Sequence, residues 1–385
     1  MSPTEDKGGW VGNPQREDTA RERRDELSPA PYAPPMKQAA LVTDPSTPRL
    51  DLAHFYTRHP ERPDRLTAIL DHLDSTGIGA RMTALDARDV TADEVLSVHD
   101  AKVPAIVDDL GRRGGGFADV DTYLTAGSPA AARRAAGGVL VALETVLAGE
   151  RRRAFAAVRP PGHHATTDTL MGFCLLNNVA IAVQSAFASR LERVAVVDWD
   201  VHHGNGTQAI FDADPRLLYV STHASPFYPG TGGYTHTGSG EATGTMVNIP
   251  LPHGAGDEAY DAAYERVVVP ALERFAPQLV VVSCGWDGHV RDPLAPLNLT
   301  TEGYTNVARQ VIEAADTLCG GRLVVALEGG YDEHALAWSA GALCELLLDE
   351  AVTPDPEPAE PQSSELPPAE EIDELLDAVR SAVGL

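Results

Sequence analysis

The stretch VVDWDVHHGNGTQ, residues 196–208, brings acidic and imidazole side chains together directly behind an apolar run. Alternate side chains of an extended segment share one face. Asp198, Asp200 and His202 can therefore point into one site if the extended geometry continues, while the residues between them point into packing. A carboxylate and an imidazole two residues apart are ligands suited to zinc or a similar divalent ion. The stretch therefore predicts a metal site at the end of a buried strand.

A catalytic zinc site usually has three protein ligands and one open position. Asp287, in SCGWDG at the end of another apolar run, is the best candidate for the third ligand. Zinc lowers the pKa of bound water to about 7, and a neighbouring imidazole can take that water's proton and pass it to a leaving amine. The tandem histidines His163 and His164 in RPPGHHA can supply this imidazole, and Asp198 can fix a histidine tautomer through a hydrogen bond.

Tyr331 follows two glycines in EGGY, and a phenol is a good hydrogen-bond donor to an oxyanion that forms on a carbonyl. Metal, water, histidine base and oxyanion donor together predict hydrolysis of an amide or related acyl bond. Each motif alone has a simpler explanation: Asp287 alone would more often cap a helix, and Tyr331 alone would be core. The prediction depends on all the motifs following strands of one sheet.

The elements that must position these residues are apolar runs that each lead into an unusual loop. The runs cover residues 38–44, 153–160, 193–200, 217–223, 278–287 and 322–331. Helical segments are predicted at residues 65–77, 129–149 and 174–188. Strands that are apolar on both faces belong in a parallel sheet covered by helices, and open α/β sheets place their sites at the carboxyl ends of strands. The sequence therefore predicts an α/β fold with one pocket at that edge.

The chain ends differ in composition from the segment between them. Residues 1–36 are polar, charged and rich in proline, which predicts a disordered tail. The catalytic domain is expected over residues 37–350. Residues 351–385 begin as a proline- and glutamate-rich linker and end in a short amphipathic helix. That helix could dock on the domain, dock on a partner, or only cover a little surface.

The whole-chain composition excludes several classes of protein. The net charge of −26 over 385 residues would repel phosphate backbones, so direct nucleic-acid binding is not expected, whereas cationic partners would be tolerated or attracted. The sequence contains neither an uncharged apolar run long enough to span a membrane nor the apolar core of a signal peptide at its start. Its four widely spaced cysteines favour a reducing compartment. We therefore expect a cytoplasmic protein of open oligomeric state.

The motifs RPPGHHA, GFCLLNNVAIA, DWDVHHGNGTQ, FYPGTG, GWDGHVRDPLAPLNLT and LEGGYD resemble, in this order, those of the zinc-dependent histone deacetylase family within the arginase–deacetylase superfamily. HPERPDRL is similar to the class II branch, and the resemblance covers residues 38–348. It implies a single α/β domain with a central eight-stranded parallel sheet flanked by helices. A narrow tunnel would lead down to one catalytic zinc at the carboxyl ends of the strands.

The resemblance also implies roles for individual residues at the metal centre. Asp200, His202 and Asp287 would be the zinc ligands, and Tyr331 matches the catalytic tyrosine. A structural potassium ion would lie behind the zinc, held by carbonyls near Asp198, Asp200 and His202 and at Ser221 and Thr222. Iron(II) accepts the same ligand set as zinc, so the identity of the ion stays open.

The two tandem histidines receive different roles from the resemblance. His164 would be the general base and acid, and His163 its electrostatic partner, oriented by Asp198. The acid expected behind the second histidine is Asn205 in this chain, as in similar class II members. An amide in place of a carboxylate should lower the basicity of His164.

The substrate tunnel is implied by three further positions. Phe173 and Tyr228 would wall the tunnel and sandwich the stem of an acyl-lysine, and the carbonyl of Gly172 could accept the substrate amide N–H. The family usually has phenylalanine where this chain has Tyr228, which leaves the polarity of the wall open.

Substrate choice depends on residues near the tunnel mouth. The polyamine-selective branch of the family has a glutamate seven residues past the last zinc aspartate, where this chain has Leu294. A leucine lacks the charge that a distal ammonium needs, which favours an acyl-lysine protein or peptide over an acetylated polyamine. Asp119 or Asp121 could clamp the substrate backbone, although a turn role fits equally well.

Three functions therefore compete. The first is zinc-dependent hydrolysis of an acetyl- or acyl-lysine side chain, which gives a free amine and a carboxylate. The second is an amidohydrolase of acetylpolyamines or other small acylated amines. The third is a non-enzymatic acyl-lysine-binding module, which Tyr331, His163 and His164 oppose. A binuclear manganese ureohydrolase would need further aspartate and histidine ligands where this chain has its paired histidines, and is set aside.

Overall fold

Short runs of valine, alanine and leucine form the sheet strands. A computed structural model of the chain describes residues 39–44, 59–360 and 366–385. The tail predicted over residues 1–36 lies outside the described residues. The strands are β1 (Ala40–Thr43), β2 (Thr83–Asp86), β3 (Gly115–Phe117), β4 (Tyr123–Thr125), β5 (Arg153–Ala157), β6 (Val194–Asp198), β7 (Leu217–Ala224), β8 (Met246–Leu251), β9 (Leu279–Cys284) and β10 (Leu323–Leu327).

The helices alternate with these strands along the chain. They are α1 (Asp64–Ser75), α2 (Ile78–Arg81), α3 (Ala92–Leu96), α4 (Lys102–Arg112), α5 (Ser128–Leu147), α6 (Asn178–Ala188), α7 (Asn205–Phe211), α8 (Asp257–Ala263), α9 (Val269–Phe275), α10 (Thr301–Cys319), α11 (Glu333–Leu347) and α12 (Ala369–Val383). A π-helical turn, Tyr264–Val268, joins α8 to α9, and a 3₁₀ turn covers Gly240–Ala242. None of the described helices is long and apolar enough to cross a membrane.

The main sheet of the described residues has eight strands, in the order β2-β1-β5-β10-β9-β6-β7-β8. Every neighbouring pair is parallel, while β3 and β4 form a separate antiparallel hairpin. Because side chains alternate along a strand, Val197 and Val282 enter one hydrophobic core and Val196 and Val281 enter the core on the opposite face. The predicted α/β class and the eight-stranded parallel sheet are confirmed.

Strands and helices begin and end where local chemistry changes. The runs predicted at residues 153–160 and 278–287 end as strands at Ala157 and Cys284, so that RPPGHHA and GWDG form loops beyond β5 and β9. The helix predicted from residue 174 begins only at Asn178, because the Asn177 side chain accepts the N–H of Ala180 at 2.9 Å and caps it there. The strands β2, β8 and those of the β3–β4 hairpin are not predicted from the sequence, because these short segments carry a weak pattern.

The last helix, α12, packs on the domain, which is one of the three placements that the sequence left open. Its Ile372, Leu376, Val379 and Val383 are buried in the same core as β8 and β9. On its polar side, Arg266 forms ion pairs with Asp373 and Asp377. The helix therefore lies against β8, the edge strand of the sheet. The division of the chain at residues 36 and 350 stays a prediction.

Replacement of Leu376 by alanine should measure how far α12 belongs to the domain. Leu376 is fully buried, so Leu376→Ala should lower the free energy of unfolding by about 2–5 kcal/mol. Urea unfolding followed by circular dichroism gives this value. The exposed Glu374 provides the control, because Glu374→Ala should change stability by less than about 0.5 kcal/mol. Equal stability of both variants would mean that α12 unfolds separately.

Candidate active site

The loops after β6 and β9 bring Asp200, His202 and Asp287 together. Their possible ligand atoms all lie within 4.8 Å of one another. The Nδ1 atom of His202 is 3.0 Å from Oδ1 of Asp200 and 3.1 Å from Oδ2 of Asp287. The convergence follows from the topology, since β6 and β9 are parallel neighbours and their carboxyl ends meet at the same edge of the sheet. These three residues could together hold a metal ion.

Backbone amides fix the two carboxylates. The N–H of Val201 donates to Oδ1 of Asp287 at 2.9 Å, and the N–H of His202 donates to Oδ1 of Asp200 at 2.9 Å. The other oxygen of Asp200 accepts the N–H of Gly329 at 2.8 Å. Donors of this kind orient a metal-binding carboxylate before any ion arrives.

Glycines make the close packing around these carboxylates possible. A Cβ atom at Gly329 would lie 2.1 Å from Oδ2 of Asp287 and 2.5 Å from Oδ2 of Asp200. A Cβ atom at Gly285 would lie 2.1 Å from Oδ2 of Asp200. Neither position can carry a side chain while the carboxylates stay where they are. Gly285 and Gly329 thus contribute to the site because their missing side chains leave space for the carboxylates.

The electrostatics of the cluster favour a cation. Burial lowers the pKa of His202, but hydrogen bonds to Asp200 and Asp287 outweigh this effect and raise it to about 10. Burial raises the pKa of Asp287, and the charge of Asp200 raises it further. Two oxygens and one imidazole nitrogen are a donor set that zinc and similar divalent ions accept. The residues therefore fit a divalent metal ion.

The tandem histidines lie beside this cluster, each with a different partner. The Nδ1 atom of His163 is 3.0 Å from Oδ2 of Asp198, which also accepts the hydroxyl of Tyr219 at 2.9 Å. The Nδ1 atom of His164 is 2.7 Å from Oδ1 of Asn205. The two imidazole rings are 4.1 Å apart between centroids.

These partners move the pKa values of the two histidines in opposite directions. Burial lowers the pKa of His163, but the charges of Asp200 and Asp198 outweigh burial and raise it well above its usual value. Burial lowers the pKa of His164 well below its usual value, and the charges of His163 and His202 lower it further. One imidazole therefore favours the protonated form and the other the neutral form, which is the arrangement that acid–base chemistry uses.

Tyr331 is held at the pocket by contacts to its backbone and ring. Arg65 donates hydrogen bonds to the carbonyls of Gly330 and Glu328, both at 2.5 Å, and its guanidinium carbon lies 4.9 Å from the centre of the Tyr331 ring. The N–H of Tyr331 donates to Oδ2 of Asp292 at 2.7 Å. Burial raises the pKa of the Tyr331 phenol well above its usual value, so the phenol keeps its proton as a donor.

The residues predicted to wall a tunnel do line one narrow pocket. Its cavity volume is about 90 Å³, and its lining is Asp121, Pro161, His163, His164, Gly172, Phe173, Asp200, His202, Tyr228, Leu294, Gly329 and Tyr331. The rings of Phe173 and Tyr331 meet edge to face with centroids 6.0 Å apart. Tyr228 meets His164 in the same way at 5.2 Å. Asp287, Asp198 and Asn205 lie behind this lining.

The β3–β4 hairpin supports the tunnel wall. Phe173 has a left-handed backbone, with φ of 66°, a conformation that non-glycine residues adopt rarely. Its N–H donates to Oγ1 of Thr122 at 3.1 Å, and the N–H of Gly172 donates to Oδ1 of Asp121 at 3.2 Å. Of the two acids proposed as substrate clamps, Asp121 lines the pocket, while Asp119 accepts the N–H of Val120 in a turn.

Three buried ionisable residues near the site are not predicted as site residues from the sequence: Arg65, Asp292 and Glu328. Glu328 accepts the N–H groups of Gly162 at 2.6 Å and His163 at 3.2 Å, and burial raises its pKa to about 7. Each residue lies inside a quoted motif block, but each makes a hydrogen bond to a backbone atom far away in the sequence. Residue type and spacing carry no signal for such contacts.

Comparison with known proteins identifies related sequences and folds. A family model described as the histone deacetylase domain matches residues 59–347. A probable deacetylase of Archaeoglobus fulgidus is 42% identical over 73% of this chain and 79% of its own length. A histone deacetylase-like amidohydrolase of Pseudomonas aeruginosa is 41% identical over 75% of this chain and 77% of its own length.

A further relative and a solved structure also carry the histone deacetylase name or fold. Histone deacetylase 15 of Arabidopsis thaliana is 40% identical over 76% of this chain, which spans 53% of that relative's length. A crystal structure of the HDA15 HD domain matches with a TM-score of 0.79 and 35% identity, and the match covers 90% of this chain and 95% of that chain.

Replacement of Gly329 by alanine should disturb the candidate ligands without any change in their identity. The added Cβ would collide with carboxylate oxygens of Asp287 and Asp200, so the purified variant should hold well below one divalent metal per chain. Metal analysis by mass spectrometry after zinc loading and buffer exchange gives this number. Gly233 is the matched control, because a Cβ there would have no atom within 4 Å, and Gly233→Ala should bind metal normally. Full metal occupancy in Gly329→Ala would contradict the assignment.

Proposed function

The chain belongs to the histone deacetylase family of the arginase–deacetylase superfamily, and from this membership we propose that it is a zinc-dependent deacetylase of acyl-lysine side chains. The family is generally metal-dependent and its members are deacetylases and amidohydrolases, so hydrolysis of an acylated substrate follows from membership. The observation that carries the finer proposal is one narrow pocket lined by two members of the candidate metal set, two histidines of opposite protonation preference and a buried phenol.

Asp200, His202 and Asp287 are proposed as the metal ligands, with zinc as the ion. Two carboxylates and an imidazole leave a coordination position for water or substrate. A zinc ion held there would polarise the acyl carbonyl and make a water molecule more acidic. A structural potassium ion near Ser221 and Thr222 remains part of the proposal.

His164 is proposed as the general base and acid. Its lowered pKa keeps the imidazole neutral near pH 7, so that it can accept a proton from the attacking water and then donate it to the departing amine. His163 is proposed as the charged neighbour that stabilises negative charge on the reacting centre, with Asp198 holding its orientation. Asn205 supplies His164 with a hydrogen bond but no charge, which is consistent with a weakly basic imidazole.

Tyr331 and the tunnel wall complete the proposal. The phenol of Tyr331 would donate a hydrogen bond to the oxyanion that forms when the acyl carbonyl is attacked. Phe173 and Tyr228 would lie on either side of the methylene stem of the acyl-lysine, and the carbonyl of Gly172 would accept the amide N–H. The rings offer apolar area to the stem, and its exclusion from water stabilises the bound substrate.

The choice of a lysine side chain over a polyamine rests on Leu294. This residue lines the pocket mouth and is 38% exposed. An apolar side chain offers no charge partner to the distal ammonium of a polyamine, whereas a peptide backbone needs none. We further propose a class II-like, cytoplasmic enzyme, for which the HPERPDRL motif and the scattered cysteines are the grounds.

Two substrates assayed side by side test this proposal. Zinc-loaded protein, with its metal counted, is given an acetyl-lysine peptide carrying a fluorogenic amine and, separately, acetylspermidine with detection of free acetate. We expect hydroxamate-sensitive turnover of the peptide and at least about tenfold weaker kcat/KM for the polyamine, since Leu294 offers its distal ammonium no charge partner. Turnover of the polyamine alone would overturn the substrate, and inactivity of fully metallated protein on both would favour a binding module.

Tyr331→Phe tests the oxyanion donor. Loss of the phenolic O–H should lower kcat by about 100-fold or more, while metal content stays near that of the wild type. Tyr234 lies in an exposed loop, so Tyr234→Phe makes the same chemical change as a control and should keep normal kcat. Near-normal kcat in Tyr331→Phe would remove the role assigned to the phenol.

A further inference from the structure

Asp292 is a buried acid to which the proposed reaction assigns no role. Its side chain is 8% exposed. Oδ2 accepts the N–H of Tyr331 at 2.7 Å, and Oδ1 accepts the N–H of Leu294 at 2.9 Å. The N–H of Asp292 itself donates to the carbonyl of His289 at 2.7 Å. One carboxylate thus ties the backbone of the proposed oxyanion donor to the loop that follows β9.

The segment before Tyr331 has little stiffness of its own. It consists of Gly329 and Gly330, and Gly330 has a φ of +110°, a conformation that glycine adopts easily and other residues rarely. After Tyr331, the side chain of Asp332 caps α11 through the N–H of Ala335 at 2.8 Å. The N–H of Tyr331 lies between these two glycines and the capped helix, so a hydrogen bond at this atom helps to fix the direction in which the tyrosine leaves the backbone.

We propose that Asp292 is a positioning residue for Tyr331, which holds the phenol at the distance and angle that oxyanion stabilisation requires. This inference rests on the proposed function of Tyr331 and adds a residue to it. The second oxygen of the carboxylate is anchored on Leu294, so the side chain cannot rotate away from Tyr331 without the loss of another bond. Arg65 holds the neighbouring carbonyl of Gly330, and the two contacts fix the Gly330–Tyr331 peptide from both ends.

An asparagine at position 292 separates this role from simple packing. Asn has the shape of Asp, but its amide nitrogen is a donor and cannot accept an N–H. In either orientation, Asp292→Asn leaves one of the two backbone N–H groups facing another donor. Small displacements of a catalytic group cost large factors in rate, so kcat for the acetyl-lysine peptide should fall on the order of 10- to 100-fold, with KM and metal content close to wild type.

A double-mutant cycle shows whether the loss acts through Tyr331. The variants are Asp292→Asn, Tyr331→Phe and the two combined, assayed for kcat and KM with bound metal counted. If Asp292 acts by placing the phenol, its substitution costs little in the Tyr331→Phe background, because the group it positions is already gone. Asp257 is the matched control: its carboxylate accepts the N–H of Thr300 at 2.8 Å in a different part of the fold, and Asp257→Asn should lose no kcat through Tyr331.

Each result decides between the two proposals. A loss in Asp292→Asn that persists at full size in the Tyr331→Phe background overturns the positioning role, as does unchanged kcat or a loss of metal. Normal kcat in Tyr331→Phe instead overturns the proposed function of the phenol. If Asp292→Asn does not fold, Asp292→Glu enters the same cycle, since it keeps both acceptor oxygens but moves them one methylene outward.

Discussion

Buried negative charge at the carboxyl edge of the sheet is the constraint on which the site depends. Asp198, Asp200 and Asp287 are each at most 1% exposed, and buried carboxylates without partners are strongly unfavourable. Backbone N–H donors and two imidazoles compensate them in part. Oδ1 of Asp200 and Oδ2 of Asp287 nevertheless converge on a single nitrogen of His202. A divalent cation is the compensation that this convergence favours, and Gly285 and Gly329 leave the carboxylates the space to approach each other.

The parallel sheet holds the loops that carry these carboxylates in fixed positions. Valines of β6 and β9 are packed on both faces, so the loops begin from strand ends that cannot shift without a disturbance of both cores. The loops are then tied by long-range bonds between buried side chains and backbone. Glu328 holds the amides of Gly162 and His163, and Arg65 holds the carbonyls of Gly330 and Glu328. Since these bonds end on backbone atoms, the side chains of the candidate site stay available to the pocket.

The sequence predicts well those features that depend on the local spacing of residue types. The apolar runs identify six of the eight strands in the described parallel sheet, and the D-x-D-x-H pattern brings Asp198, Asp200 and His202 to one edge. That Asp287 joins them could be expected because both loops follow strands of one sheet. The sequence does not reveal that Arg65 bonds to Gly330, 265 residues away, because any carbonyl in the chain could accept that bond. The start of α6 is predicted too early, at residue 174. The loop residues before the cap at Asn177 are also apolar, so they extend the helical pattern in the N-terminal direction.

The tandem histidines show that the protonation of site residues depends on partners that are distant in the sequence. His163 and His164 are adjacent residues of one type, yet their pKa values move in opposite directions. His163 faces the carboxylates of Asp198 and Asp200, whereas His164 faces the amide of Asn205. Once His163 is charged, that charge itself disfavours a second proton on the ring beside it. Burial is the larger cause of the lowered pKa of His164, and the charge of His163 adds to it; a carboxylate at position 205 would weaken the distinction between the two histidines.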